Sequence, residues 1–432
     1  MPWSWNIDLG AIIKQLLYHL FEFLESQYSF PGATLFQFVS FRAALAILLS
    51  LGITLVFGNR IIRSLKSMQV SESVRDLGLA GQKEKEGTPT MGGVMIVMAI
   101  IIPTILLAKL DNIYVILMLV STLWFAMIGF LDDRLKLKKK NKDGLRGKYK
   151  IIGQVIMGLI VAMVMLLHED VVVRVPIEVA QENNWIVTKS FEQVIPQVNA
   201  APSSRMMAYA KAPITNVPFF SDNELDYSLF VGNNRHLIWI VFVPIIIFII
   251  TSVSNAANLT DGLDGLLTGI AAIIGFTLAI LAYVSSNAIV ADYLNILFLP
   301  NTEELVIYAA GFLGATIGFL WYNSYPASVF MGDTGSLAIG GIIAVMAVLL
   351  RKELLIPILC GVMFMETLSV IMQVGYFKYT KRKYGEGRRI FLMSPLHHHY
   401  QKKGMHEMKI VTRFWIVALL LAVLTIITLK LR

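Results

Sequence analysis

Two adjacent aspartates, Asp132 and Asp133, close a long apolar run in GFLDDRLKLKKK and are followed at once by lysine. A helix C-terminus already carries negative partial charge, so carboxylates there need a positive partner. Neighbouring helical residues diverge by about 100°, which points the two side chains at different partners. Salt bridges to Arg134 or Lys136 are one account. A divalent cation, or a lysine-bound phosphate site sharing it, is the better one. Other chemistry-bearing residues gather in four further segments. Lys85 lies in EKEGTPTMGG, Lys150 follows the lysine-rich stretch, and Asn323, Phe330 and Asp333 lie in WYNSYPASVFMGDTGS. Asn258, Asp261 and Asp264 recur at every third residue of NLTDGLDG. That spacing puts them on one face of a helical turn, although Gly262 and Gly265 make an irregular turn equally open. As plain helix caps, Asp261 or Asp264 would serve one helix, and Asp333 or Ser336 another. His397, His398 and His399 are consecutive, so a regular helix or strand cannot aim all three at one ion, and further zinc ligands at suitable spacing are missing. Imidazoles touching a phosphate or a sugar hydroxyl fit better. Magnesium is held through one or two carboxylates plus substrate phosphates, which suits a few aspartates set among basic loops.

The elements that must position these residues are membrane spans. The 432 residues are 56% hydrophobic and 15% charged, against about 25% charged in a soluble domain. Runs long enough to cross ~30 Å of hydrocarbon fall near 37–57, 92–108, 112–131, 149–167, 237–256, 264–284, 304–322, 336–350, 354–376 and 412–431. The second and eighth are short. The expected fold is an all-α polytopic membrane protein of about ten helices, a single domain over 1–432 with an insertion at about 168–236. The start of the chain lacks a basic flank followed by an apolar core, so no cleavable signal is expected. LGAIIKQLLYHLFEFLE is instead read as a helix lying along the interface or packed loosely at the N-terminus.

Segments 58–91, 132–148 and 378–413 hold 24 of the 37 basic residues and fall on one side if ten spans alternate. By the positive-inside rule that side is cytoplasmic and both termini are outside. All five polar segments lie on that face, at span ends. A transporter or lipid-binding protein, the rival from another class, would carry ionisable groups near span centres. The lone cysteine, Cys360, permits no intrachain disulfide. Segment 168–236, with five prolines, is expected to form short strands or irregular structure, and its role is not readable. Carboxylates, lysines and a lipid boundary together point to a Mg2+-dependent phosphotransferase that joins a nucleotide-activated group to a membrane lipid, with no nucleic-acid partner.

In their order along the chain, GTPTMGG, FLDD, NLTDGLDG, FMGDTGS and PLHHHY resemble the phospho-N-acetylmuramoyl-pentapeptide transferases, within the polyprenyl-phosphate N-acetylhexosamine-1-phosphate transferase superfamily. The resemblance runs from about Phe38 to Arg432, with the outer segment excepted. It implies a bacterial inner-membrane enzyme that moves phospho-N-acetylmuramoyl-pentapeptide from UDP to undecaprenyl phosphate, giving lipid I and UMP for peptidoglycan. A sister transferase of N-acetylhexosamine phosphate is the nearest alternative. By the same resemblance Asp132 and Asp133 handle the lipid phosphate, with Asp132 a second candidate metal ligand beside Asp333, which binds Mg2+. Phe330 would stack on uracil. Asn258, Asp261, Asp264 and Asn323 would line the nucleotide site. Lys85 and Lys150 would lie near nucleotide and phosphates, and the histidines near the sugar phosphate. Glu86 stands where a basic residue is more usual, and the outer segment is longer than expected. A homodimer is left open.

Overall fold

The structure, a computed structural model, describes residues 33–68, 85, 87–139, 144–195, 203–218, 223–232 and 237–430. The expected interfacial helix near the N-terminus and Glu86 lie outside the described residues. Helices α1 (Val39–Ser67), α2 (Gly93–Leu107), α3 (Ile113–Lys139) and α4 (Gly147–Leu167) lead into segment 168–236. There β1 (Val173–Pro176), α5 (Ile177–Glu182), β2 (Ile186–Ile195) and β3 (Ser203–Lys211) are followed by β4 (Ile214–Asn216) and β5 (Glu224–Asp226). The chain returns through α6 (Ile238–Thr260), α7 (Leu266–Ser286), α8 (Ala288–Leu294), α9 (Glu304–Asn323) and α10 (Gly332–Leu349). It ends with α11 (Ile356–Leu359), α12 (Gly361–Tyr384), α13 (Leu396–Lys402) and α14 (Glu407–Thr428).

Eight of these helices, among the described residues, are long and apolar enough to cross a bilayer: α1, α3, α4, α6, α7, α9, α10 and α14. The apolar run at 92–108 forms only the 15-residue α2, which is short for a span. Over 354–376 one continuous span was expected, but the chain breaks at Cys360 and the two pieces meet at 76°. Pro357, fixed in φ and lacking an N–H, sits in the short first piece.

At the centre stands α10, whose residues from Thr334 to Leu349 are all buried. A helix apolar on every side belongs inside the bundle, and α3, α6 and α2 surround this one, with α9 packed against α1, α7 and α2. Gly129 decides how close α3 can come. A Cβ there would overlap the Asp333 carbonyl, so only glycine lets the end of α3, with Asp132 and Asp133, meet the start of α10. At the other end of the bundle Arg42 in α1 makes a two-pronged ion pair with Glu304 in α9, at 2.7 and 2.8 Å.

Segment 168–236, expected as short strands or irregular structure, folds as strands with the short helix α5 among its described residues. β3 lies between β1 and β2, antiparallel to both, with an irregularity between Val187 and Lys189, and β4 pairs with β5. Val173, Val175, Ala180, Ala210, Ala212 and Ile214 form its own small core with Leu297 and Leu299. α4 starts beside the polar loops and rises about 1.5 Å per residue, so the sheet lies at the opposite end of the bundle from them.

Candidate active site

The loops that carry the polar motifs meet at one end of the bundle. Backbone bonds tie GTPTMGG to FMGDTGS: Phe330 donates to the Pro89 carbonyl at 2.8 Å, and Gly92 and Gly93 donate to the carbonyls of Phe330 and Met331 at 2.9 Å each. Phe330 itself is half-buried.

Asp132 and Asp133 do face different partners. Asp133 caps a helix other than its own: its Oδ1 accepts from the Asp333 amide at 3.0 Å, and its Oδ2 from the Thr334 amide at 2.9 Å and hydroxyl at 2.7 Å. The carboxylate thus meets the positive end of the α10 dipole, where negative charge is favoured. Asp132 faces ammonium groups. Lys150 Nζ is 2.9 Å from its Oδ1, Lys136 Nζ is 2.7 Å from its Oδ2, and the Leu145 amide donates to Oδ1 at 2.7 Å. The same two lysines hold Asp333, with Lys136 Nζ 3.0 Å from Oδ1 and Lys150 Nζ 2.5 Å from Oδ2. The salt bridge to Lys136 is therefore present, but as one strut of a network of three carboxylates and two ammoniums. One oxygen from each of Asp132, Asp133 and Asp333 lies within 4.8 Å of the others. Hard oxygen donors at that spacing fit magnesium or calcium and do not fit a soft, thiolate-seeking ion.

A second cluster forms around the turn after α6. Asp264 is buried; its Oδ1 accepts from Lys85 Nζ at 2.7 Å and its Oδ2 from the Ala327 amide at 3.0 Å. Lys85 also donates to Glu407 Oε1 at 2.6 Å, and the Asp264 amide donates to that oxygen at 2.8 Å. Burial alone would lower the Lys85 pKa, but Glu407 and Asp264 outweigh it and hold the ammonium above its ordinary value. Asn323 fastens this turn to the following loop: its Oδ1 accepts from the Gly265 amide and the Thr268 hydroxyl, and its Nδ2 donates to the Val329 carbonyl. Asn258 donates to the Ser336 hydroxyl at 3.1 Å, linking the turn to the first coil of α10. Asp261 is half-buried where α6 ends.

The three histidines have different polar partners, although the rings of His397 and His398 touch, with centroids 4.2 Å apart. His397 is buried beside Glu366, His398 pairs with Gln401 at 2.7 Å, and His399 accepts from the Leu392 amide at 3.1 Å. Burial, reinforced by the neighbouring His397, lowers His398 to about 4, so it is neutral near pH 7. Sequence reasoning passed over Lys136 as more than a surface partner, and it passed over Glu407, Thr334 and Glu366. Lys136 stands four residues after Asp132, the spacing of a helical ion pair. Glu407 carries no comparable local sign, because its partners are 143 and 322 residues away in sequence.

A bundle of apolar helices with carboxylates and lysines gathered at one end defines a polytopic membrane transferase, and residues 115–351 match glycosyl transferase family 4. Residues 85–97 match signature 1 of the phospho-N-acetylmuramoyl-pentapeptide-transferases. Proteins with that name from Flavobacterium psychrophilum, Parabacteroides distasonis and Flavobacterium johnsoniae are 54%, 53% and 52% identical to this chain. Each comparison covers 96% of this chain and 100% of the relative. The chain belongs to the phospho-N-acetylmuramoyl-pentapeptide-transferase family.

Proposed function

We infer that this protein transfers phospho-N-acetylmuramoyl-pentapeptide from its UDP carrier to undecaprenyl phosphate, forming lipid I and UMP. The observation that carries the reading is the carboxylate–lysine network at the junction of α3, α4 and α10, taken with near-full-length similarity to the family. The site faces the cytoplasm and the inner leaflet of a bacterial inner membrane, with ten spans and both termini outside, because the basic loops cluster at that end.

An oxygen of the lipid phosphate attacks the sugar-linked phosphorus, the bridging P–O bond of the diphosphate breaks, and UMP leaves with the electron pair. Asp333, with Asp132 as a further ligand, would hold Mg2+, which when bound neutralises diphosphate charge. Lys136 and Lys150 place two ammoniums beside those carboxylates, and ammoniums there stabilise charge on phosphoryl oxygens. Asp132 keeps the lysines aimed, and Asp133 fixes Asp333 by capping its helix. A phosphate monoester has a second pKa near 6, so the lipid phosphate is largely dianionic at neutral pH and positioning replaces strong base catalysis. Direct attack is therefore favoured over an aspartyl-bound intermediate. Lys85, Asn258, Asp261, Asp264, Asn323 and Phe330 form the nucleotide side, where Phe330 stacks on uracil, and the histidine triplet stands toward the sugar phosphate.

Substrate choice tests the reading. Purified protein offered undecaprenyl phosphate should make a lipid product from UDP-N-acetylmuramoyl-pentapeptide and none from UDP-N-acetylglucosamine. The opposite preference would assign it to the sister transferases.

A further inference from the structure

Glu366 is the one acidic residue in α12 and is fully buried. A carboxylate in an apolar helix persists only with a partner, and its partner is the first histidine of the triplet. Oε2 of Glu366 accepts from the His397 amide at 3.4 Å and lies 3.1 Å from the ring Nδ1. The other oxygen, Oε1, and both ring nitrogens, Nδ1 and Nε2, make no hydrogen bond among the described residues, so the 3.1 Å contact of Nδ1 with Oε2 is a close approach and not a formed hydrogen bond. The Nε2 edge of the ring lies against the turn that bears Asp261 and Asp264, since a Cβ at Gly262 would overlap Nε2 and Cε1.

We propose that Glu366 is the positioning residue of His397: its Oε2, 3.1 Å from Nδ1, is the acceptor toward which the Nδ1–H turns, which sets the ring's rotation and leaves Nε2 as the nitrogen that faces the Asp261–Asp264 turn. Because an imidazole's two nitrogens are distinct, the partner of one decides what the other can do. With the proton held at Nδ1, Nε2 offers a lone pair to a donor, and the donor class is a hydroxyl or amide of a nucleotide sugar held by that turn. The inference rests on the transferase reading for its donor and on geometry alone for the Glu366–His397 pair.

Nitrogen NMR of histidine-labelled full-length protein in detergent, at mildly alkaline pH, reads the pair directly, with His397→Gln assigning the signal. Wild type should show a protonated Nδ1 and an unprotonated Nε2. In Glu366→Leu the proton should move to Nε2, the form free histidine prefers. Loss of an orienting partner should lower kcat/KM for UMP release by roughly 10- to 100-fold. Thermal stability should fall, since removing one partner leaves the buried imidazole unpaired, so the ring proton and the rescue by Glu366→Gln, which a merely structural role would not move, carry the test. Glu366→Gln, which keeps an oxygen opposite Nδ1, should restore the proton position and most of the rate. Wild-type kcat/KM in Glu366→Leu, or an unmoved ring proton, would overturn the proposal. Should that variant not fold, Glu366→Asp decides in its place: one methylene shorter, it withdraws the oxygen, so the same proton move and rate loss are expected, and wild-type behaviour overturns the proposal. If wild type releases no UMP, the transferase reading fails while the ring signals still decide on the pair.

Discussion

Asp132 and Asp133 are adjacent in sequence yet act on different elements, one bridged by lysines and the other capping α10. The dipole argument in the sequence called for a positive partner, and both carboxylates have one: Asp132 in part locally, at Lys136 one turn on, and Asp133 far away in sequence, at the start of α10. Asp333, joined to both lysines, is the residue whose charge the metal reading needs most. Asp333→Asn should cut turnover by at least 100-fold, as loss of one preorganised electrostatic group does in other enzymes. It should also raise the Mg2+ concentration needed for half-maximal rate; wild-type activity at limiting Mg2+ would remove Asp333 from the metal site. His398 makes a separate pH prediction. Its folded pKa, about 4, lies below the unfolded value near 6.5, so the unfolded chain binds the extra proton first as pH falls. The stability linked to neutral His398 is complete above about pH 6.5 and is lost as pH falls toward 4. Melting temperatures across that window should fall less steeply in His398→Gln than in wild type, and equal slopes would contradict the assignment.

Spans were legible because apolar length is a local property, and nine of the ten expected runs correspond to one helix each among the described residues. The bend at Cys360 was not legible, since hydropathy continues through it unbroken. Asp132, Asp133 and Asp333 were readable as polar residues at span ends. Glu407 and Glu366 were not, because each acquires its meaning from a partner distant in sequence: Lys85 and the turn at Asp264 for Glu407, and His397 for Glu366. The packing that assembles the acidic cluster rests on Gly129, where α3 meets the backbone of Asp333. Gly129→Val should push α3 off the start of α10, break the cap that Asp133 provides, and cost about 1–3 kcal/mol, as overpacking does. Activity should fall with stability, and thermal unfolding in detergent beside the rate assay would check both. A variant of normal stability and rate would show that the two helices do not need that contact.

At the scale of the whole molecule, polar chemistry sits at one end of the bundle and a small sheet with its own core at the other. From the charge asymmetry in the loops we propose that the chemical end faces the cytoplasm. In a Cys360→Ala background, Glu386→Cys should resist a membrane-impermeant thiol reagent in spheroplasts, while Ser190→Cys in β2 should react. The reverse pattern would invert the topology and place the site away from any cytosolic nucleotide. Legibility at this scale was uneven: the gathering of the polar loops at one end was readable from span alternation, whereas the strands of segment 168–236, expected only in kind, take their register from pairings that the sequence does not announce. The central claim joins a nucleotide sugar, a lipid phosphate and a metal at one site, and UMP release by purified protein in detergent tests all three. Given UDP-N-acetylmuramoyl-pentapeptide, the protein should release UMP only when undecaprenyl phosphate and Mg2+ are both present, and EDTA should abolish release. UMP release that persists without the lipid or in EDTA, or a folded protein that releases none with both present, would contradict the account.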